Sequence, residues 1–209
     1  LAEQAASDEG FTIVVPPVEF TVTAFHGGQS IVVDRYPAYV ERLIRIPDGV
    51  DPARITTAVV VEPNGDVRHV PTIVTVIDGV YYARVNSLTD SMYATIWNPV
   101  AFADVRGHWA EAAANNMGSR IVVSGTENGL FRPEDAMTRA EFVDMLVQGL
   151  GLRPIQGESA FADVRGDDGY AGVIRAALAY RLIAGFPNGT FRPNEWMTRE
   201  QAMALIANA

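Results

Sequence analysis

The hexapeptide Phe102-Ala103-Asp104-Val105-Arg106-Gly107 returns letter for letter as Phe161-Ala162-Asp163-Val164-Arg165-Gly166. Two more blocks follow it in the same order. Gly125 with Asn128-Gly129-Leu130-Phe131-Arg132-Pro133 answers to Gly185 with Asn188-Gly189-Thr190-Phe191-Arg192-Pro193, and Met137-Thr138-Arg139-Ala140-Glu141 answers to Met197-Thr198-Arg199-Glu200-Gln201. Self-similarity at a fixed period means that one supersecondary unit is used twice and that neighbouring units bury each other's apolar faces.

Each unit reads as helix, turn, helix. Trp109, Ala113, Met117 and Ile121 recur at helical spacing in the first copy, as do Tyr170, Ile174, Leu178 and Leu182 in the second, and they predict the buried face of a first helix. Asn-Gly marks a tight turn. The proline of Phe-Arg-Pro biases the arginine before it toward extended backbone. The second helix announces its start: Thr138 with Glu141, and Thr198 with Gln201, have the spacing of a capping box, and Met137 with Phe142 that of a hydrophobic staple. Phe142, Leu146 and Leu150, then Ala202, Leu205 and Ile206, predict an apolar face for a central bundle. Helices of about three turns are marginal alone, so the units must pack together.

Residues 1–100 are of another kind. Segments 20–25, 31–33, 39–46, 57–62, 67–70, 73–77, 81–85 and 93–97 are rich in β-branched and aromatic residues. Gly27-Gly28, Pro47-Asp48-Gly49, Pro63-Asn64-Gly65-Asp66 and Asp78-Gly79 separate them. The chain is therefore expected to be α+β and multidomain: a β-rich domain over 1–100, an antiparallel sandwich or open barrel, then repeats over 101–154 and 155–209. Residues 1–10 read as a linker or frayed strand.

The repeats resemble S-layer homology repeats. That family opens on Phe-x-Asp-Val, starts its first helix at Trp-Ala, as in His108-Trp109-Ala110, and carries the signature Thr-Arg-Ala-Glu, which Thr138 to Glu141 reproduce. The second copy departs from the pattern: Asp167-Asp168-Gly169-Tyr170 replaces the tryptophan step, Ala184 replaces Ser124, and Thr-Arg-Glu-Gln replaces Thr-Arg-Ala-Glu. The resemblance implies an extracellular, non-catalytic anchor on the bacterial cell wall that binds secondary wall polysaccharide, often at a pyruvylated sugar. It also implies three repeats around a pseudo-threefold axis. With two present, a third repeat or a second chain is expected to complete the prism. Two rival expectations are a surface-lattice module and the tail of an extracellular polysaccharide-degrading enzyme.

Arg139 and Arg199 weigh most as ligand-binding residues. Each opens a helix, where the macrodipole disfavours a cation, and a guanidinium beside free helix N–H groups suits a carboxylate or phosphate. The alternative for Arg139 is an ion pair with Asp104 or Glu141. Asp104 and Asp163 read as glycan ligands or as turn caps. Trp109 reads as a sugar platform or as core, and Ser124 with Gly125 as a hydroxyl and a close backbone approach or as a plain turn. The first repeat, with Trp109, Ser124 and Arg139, is expected to hold the more intact site, and Arg139→Ala to weaken wall binding at nearly unchanged melting temperature.

Composition narrows the partners. Net charge is −9 and all 16 basic residues are arginine, a poor footprint for nucleic acid. No apolar run suits membrane insertion. Cysteine is absent, which removes disulfides and thiolate chemistry. His26, His69 and His108 lack metal-ligand spacing, and the Asp163, Asp167, Asp168 cluster lacks the pattern of a calcium loop. Neither metal nor cofactor is expected.

Overall fold

The computed structural model describes residues 1–209 apart from Asp34 and Pro63, so Pro63 of the expected 63–66 turn lies outside the described residues. Among the described residues, nine strands, one α-helix and a 3-10 turn at Pro52–Arg54 precede the repeats. Helix α1 (Ala2–Glu9) is followed by β1 (Thr12–Glu19), β2 (Val22–His26), β3 (Gln29–Val33), β4 (Arg35–Arg45), β5 (Thr57–Val61), β6 (Val67–Val70), β7 (Thr72–Ile77), β8 (Val80–Thr89) and β9 (Met92–Trp97). One sheet runs β1-β9-β5-β6, a second β4-β8-β7, and among the described residues β2 and β3 pair only with each other. All pairings are antiparallel.

The two larger sheets stack as a sandwich. Val15, Ala58, Val60, Val70 and Tyr93 of the first meet Ile44, Ala83 and Val85 of the second in one apolar core. The other face of the first sheet is covered too. Val59, Val61, Ala94 and Ile96 pack against Ala2, Ala5 and Phe11, and β5 is accordingly buried at every position, which explains its unbroken apolar run.

Residues 2–9 correct the expectation of a linker or frayed strand. Alanine and glutamate favour helix, and Ala2 and Ala5, three apart, face the sheet. Strand β1 was not foreseen, because Pro16 and Pro17 sit inside it. It is a sheet margin whose register with β9 shifts twice, where a missing N–H is tolerated.

The repeats supply α2 (Glu111–Ser119) and α3 (Arg139–Gly149), then α4 (Ala171–Ala179) and α5 (Arg199–Ala207). Both capping boxes are complete. The first copy's predicted face is overturned: α2 starts at Glu111, Trp109 is 90% exposed, and Ala114 and Gly118 are the buried positions. Gly118 matters because a Cβ there would lie 2.7 Å from the Phe102 ring. In the second copy Ile174 and Leu182 are buried as predicted.

Helix α3 turns inward one step from prediction, burying Ala140, Val143 and Val147, with Leu146 and Leu150 at the margin of the same core. It packs chiefly on α4 and β6. Helix α5 buries no residue, and Met203 and Ile206 stand 62% and 59% exposed. The expected central bundle is thus not what buries α3.

The sandwich is bolted to the repeats. Leu88 of β8 joins the second repeat's core. The Tyr39 hydroxyl donates to the Leu150 carbonyl at 2.6 Å, the Arg68 guanidinium donates to the Gly151 carbonyl, and Arg153 pairs with Glu62 at 2.8 Å. Gly151 has φ 64°, and a Cβ there would meet Pro71 Cδ at 2.8 Å.

Candidate functional site at the repeat junction

The two Phe-Arg-Pro loops are built alike. Asp104 accepts the N–H groups of Phe131 at 3.0 Å and Arg132 at 2.6 Å, and Asp163 accepts those of Phe191 at 2.8 Å and Arg192 at 2.7 Å. Arg132 and Arg192 have φ of 57° and 60°, so the extended conformation expected before proline is not adopted. The carboxylate draws two successive N–H groups to one point and holds the arginine in the left-handed region, which is costly for a residue with a Cβ. Those N–H groups hold the Asp104 carboxyl below its ordinary range, that of Phe131 contributing most. Both aspartates are turn organisers.

The opening phenylalanine of each copy packs on the phenylalanine of its loop, Phe102 on Phe131 and Phe161 on Phe191, with ring centroids 5.5 Å apart in both. Gly125 and Gly185 give these rings room: an added Cβ would stand 2.9 Å from Phe102 and 2.3 Å from Phe161. That is a packing reason for glycine.

The start of α3 is inserted under the second repeat's loop. Arg139 N–H donates to the Glu195 carbonyl at 2.9 Å and Ala140 N–H to the Pro193 carbonyl at 2.9 Å, while Met197 N–H donates back to Met137. Glu141 N–H is taken by the Thr138 hydroxyl. The first turn of α3 therefore has no free N–H group to offer an anion, which overturns the helix-terminus argument for Arg139.

Its guanidinium is held elsewhere. Arg139 is 6% exposed, its Nε–H donates to the Phe191 carbonyl at 2.9 Å, and its guanidinium carbon lies 4.7 Å and 5.0 Å from the Phe191 and Phe186 ring centres. Neither Asp104 nor Glu141 forms an ion pair with it among the described residues. Burial lowers its proton affinity, Glu195 and Asp163 oppose that, and Arg192 adds to it; an arginine stays charged regardless.

Arg192 lies over the same aromatic patch, 3.9 Å from the Phe186 centre, and makes a loose 3.5 Å pair with Glu195. Two guanidiniums thus share one ring. Phe186 and Arg192 were not foreseen as site residues, although the recurrence of arginine in both Phe-Arg-Pro loops was a usable signal.

The other predicted residues fall apart in space. Ser124 and Gly125 line a separate groove of about 590 Å³ with Phe131, Arg132, Glu141 and Asp144. Trp109 stands out from the surface beside His108, ring centres 5.4 Å apart. The expectation that Trp109, Ser124 and Arg139 form one site in the first repeat does not hold, because α3 carries Arg139 across to the second. Arg199 is exposed, with its capping box formed by Thr198 and Gln201. Among the described residues no group of three or more His, Asp or Glu could hold a metal ion, and no helix is long and apolar enough to cross a membrane.

The second half of the chain is thus a repeat: two like helical units, each opened by Phe-x-Asp-Val and closed by a capped Thr-Arg helix. Residues 101–143 and 160–203 match the model of the S-layer homology domain. The chain thus carries two S-layer homology repeats, with a further domain ahead of them. It is 32% identical over 124 residues to an amylopullulanase of Thermoanaerobacterium thermosulfurigenes, covering 59% of this chain and 7% of the relative. It is 36% identical over 113 residues to an endoglucanase of Bacillus sp. strain KSM-635, covering 54% and 12%, and 32% identical over 136 residues to a surface layer protein of Brevibacillus choshinensis, covering 60% and 12%. The match thus spans a small fraction of each relative. S-layer homology domains anchor surface-layer proteins and wall enzymes to the cell wall, and this chain is an extracellular, wall-associated protein.

Proposed function

We propose that the repeat pair binds an anionic wall glycan non-catalytically at the junction built around Phe186. The observation that carries this reading is the pair of guanidiniums, Arg139 and Arg192, on one phenylalanine ring. Like charges near one another repel; the acids that oppose this are Glu195, in a loose contact with Arg192, and Asp163, whose carboxylate is bonded to the Phe191 and Arg192 N–H groups. A carboxylate or phosphate between them relieves that repulsion, and guanidinium recognises either in bidentate fashion. A pyruvylated sugar of a secondary wall polysaccharide supplies such a carboxylate together with a sugar face for the aromatic patch.

Arg199, with a capping box like that of Arg139 and no second-repeat loop over it, is the corresponding half-site. A third repeat, or a second chain, packing on Met203 and Ile206 of α5 would complete it. Trp109 and Ser124 are offered as peripheral glycan contacts.

Sedimentation with purified wall sacculi tests the reading. The chain is expected to pellet with intact sacculi and to stay in solution with sacculi stripped of secondary polymer. Arg192→Gln, whose side chain is 40% exposed, is expected to weaken pelleting about tenfold or more while the fold is kept. Equal pelleting with stripped peptidoglycan would sink the glycan reading.

A further inference from the structure

The sandwich has four strands at its sheet margins, and three are blocked. Strand β1 carries Pro16 and Pro17; β4 carries Pro37 and the charges of Arg35, Glu41, Arg42 and Arg45; β6 has four residues and lies against α3. Prolines, charges and covering elements are how natural sheets prevent strand addition. Strand β7, Thr72 to Ile77, carries neither proline nor charge of its own, is reached by Arg120 at Thr72, and keeps unbroken register with β8.

Its hydrogen-bonding sides can be assigned. Asn86 N–H donates to the Pro71 carbonyl, whereas the Thr72 carbonyl accepts from Arg120 on the opposite side. By the antiparallel alternation, Ile73, Thr75 and Ile77 bond to β8, and the N–H and C=O groups of Val74 and Val76 face outward. Ile73, Val76 and Ile77 are 52%, 52% and 41% exposed.

The β2–β3 hairpin is its counterpart. A lone two-stranded ribbon is marginal in water, yet every residue of it except Thr23 and Val33 is exposed, Phe25 by 79%, Ile31 by 67% and Val32 by 60%. Its root is fixed: Asp90 accepts the Val22 N–H at 2.6 Å and pairs with Arg42, which lies among Phe20, Tyr36 and Tyr93. No residue of β2, β3 or β7 carries a formal charge. The ribbon leads into β4, while β7 is the opposite margin of the same sheet with β8 between them, so the arm and the open edge of one molecule face apart.

We infer that the β2–β3 arm of one molecule adds to the β7 edge of a second copy, strand to strand, in a head-to-tail association. Main-chain bonds to Val74 and Val76 provide affinity and the neutral apolar side chains fill the contact. Donor and acceptor lie on opposite margins, so the contact is heterologous and each bound copy presents a fresh edge to the next. A wall-tethered chain would thereby extend into an array. This goes beyond the anchoring reading and does not depend on it, since no wall glycan takes part.

Sedimentation velocity of the full chain over a concentration series tests the inference, with Val76→Lys to block the edge and Phe25→Lys/Val32→Lys to block the arm. The unaltered chain is expected to grow past dimers, and each variant alone to associate about tenfold or more weakly, with unchanged circular dichroism showing that it folds. A one-to-one mixture is expected to form dimers and stop there, because one variant keeps its arm and the other its edge. A chain that stays monomeric throughout overturns the inference, as does continued self-association of the arm variant, which would mean edge meeting edge.

Discussion

Replacing Arg139 with alanine separates a structural arginine from a purely ligand-binding one. The side chain is 6% exposed and donates to the Phe191 carbonyl at 2.9 Å. Removing a charged donor and leaving that carbonyl unpaired costs about 1.5–3 kcal/mol. Loss of stacking on Phe186 and Phe191 adds about 0.5–2 kcal/mol, for a total of roughly 2–5 kcal/mol. In a chain of this size that is a fall in melting temperature of about 4–20 °C. Arg199→Ala, at an exposed position, is expected to stay within about 0.5 kcal/mol. Thermal and urea unfolding of the two variants side by side read the difference, since Leu88 ties the sandwich to the repeat core and favours a joint transition. Equal shifts for both, or a loss under about 0.5 kcal/mol for Arg139→Ala, would refute the reasoning. The expectation of an unchanged melting temperature for Arg139→Ala is thereby replaced, and Arg192 and Arg199 become the cleaner positions at which to test wall binding.

Three further outcomes are expected. Burial pushes His69, hydrogen-bonded to Thr57 at 2.9 Å, down to about 4 from 6.5. The unfolded chain therefore takes up the proton first, and stability, complete above 6.5, falls by about 3 kcal/mol as pH drops from 6.5 to 4; urea midpoints across that window check it, and His69→Gln should flatten the slope. Gly185→Ala would place a methyl 2.3 Å from the Phe161 ring and 3.0 Å from the Thr190 carbonyl, so a loss of about 1–3 kcal/mol is expected in chemical denaturation, larger than for Gly189→Ala despite that residue's φ of 76°. Gly151→Ala, strained by φ 64° and by Pro71 at 2.8 Å, should loosen the seam between sandwich and repeats, seen as faster amide exchange in β6.

What the sequence reveals here is whatever acts over short range. The capping boxes at Thr138 and Thr198 involve residues three apart, and both form as read. The hairpin turns at Gly27-Gly28 and Asp78-Gly79 close as read, with φ of 58° and 79° at the first and 50° and 78° at the second. Helix faces fared worse because they depend on what arrives from elsewhere. Ile174 and Leu182 are buried because α3 covers the second repeat, while Trp109 in the equivalent stretch of the first is bare. The same holds for the signature arginines. Arg139 and Arg199 occupy identical local positions, yet the Phe-Arg-Pro loop of the following repeat seals the N–H groups of α3 and stacks two rings on Arg139. A site formed between consecutive copies takes its cation from one repeat and its aromatic wall and second cation from the next. If the site lies at the junction, as proposed, reading each copy as a complete unit groups Trp109 and Ser124 with an arginine that the structure places under the next repeat. In this arrangement the number of complete sites is set by how many junctions the repeats form, so deleting residues 155–209 should abolish wall binding even though the Thr-Arg-Ala-Glu signature stays whole.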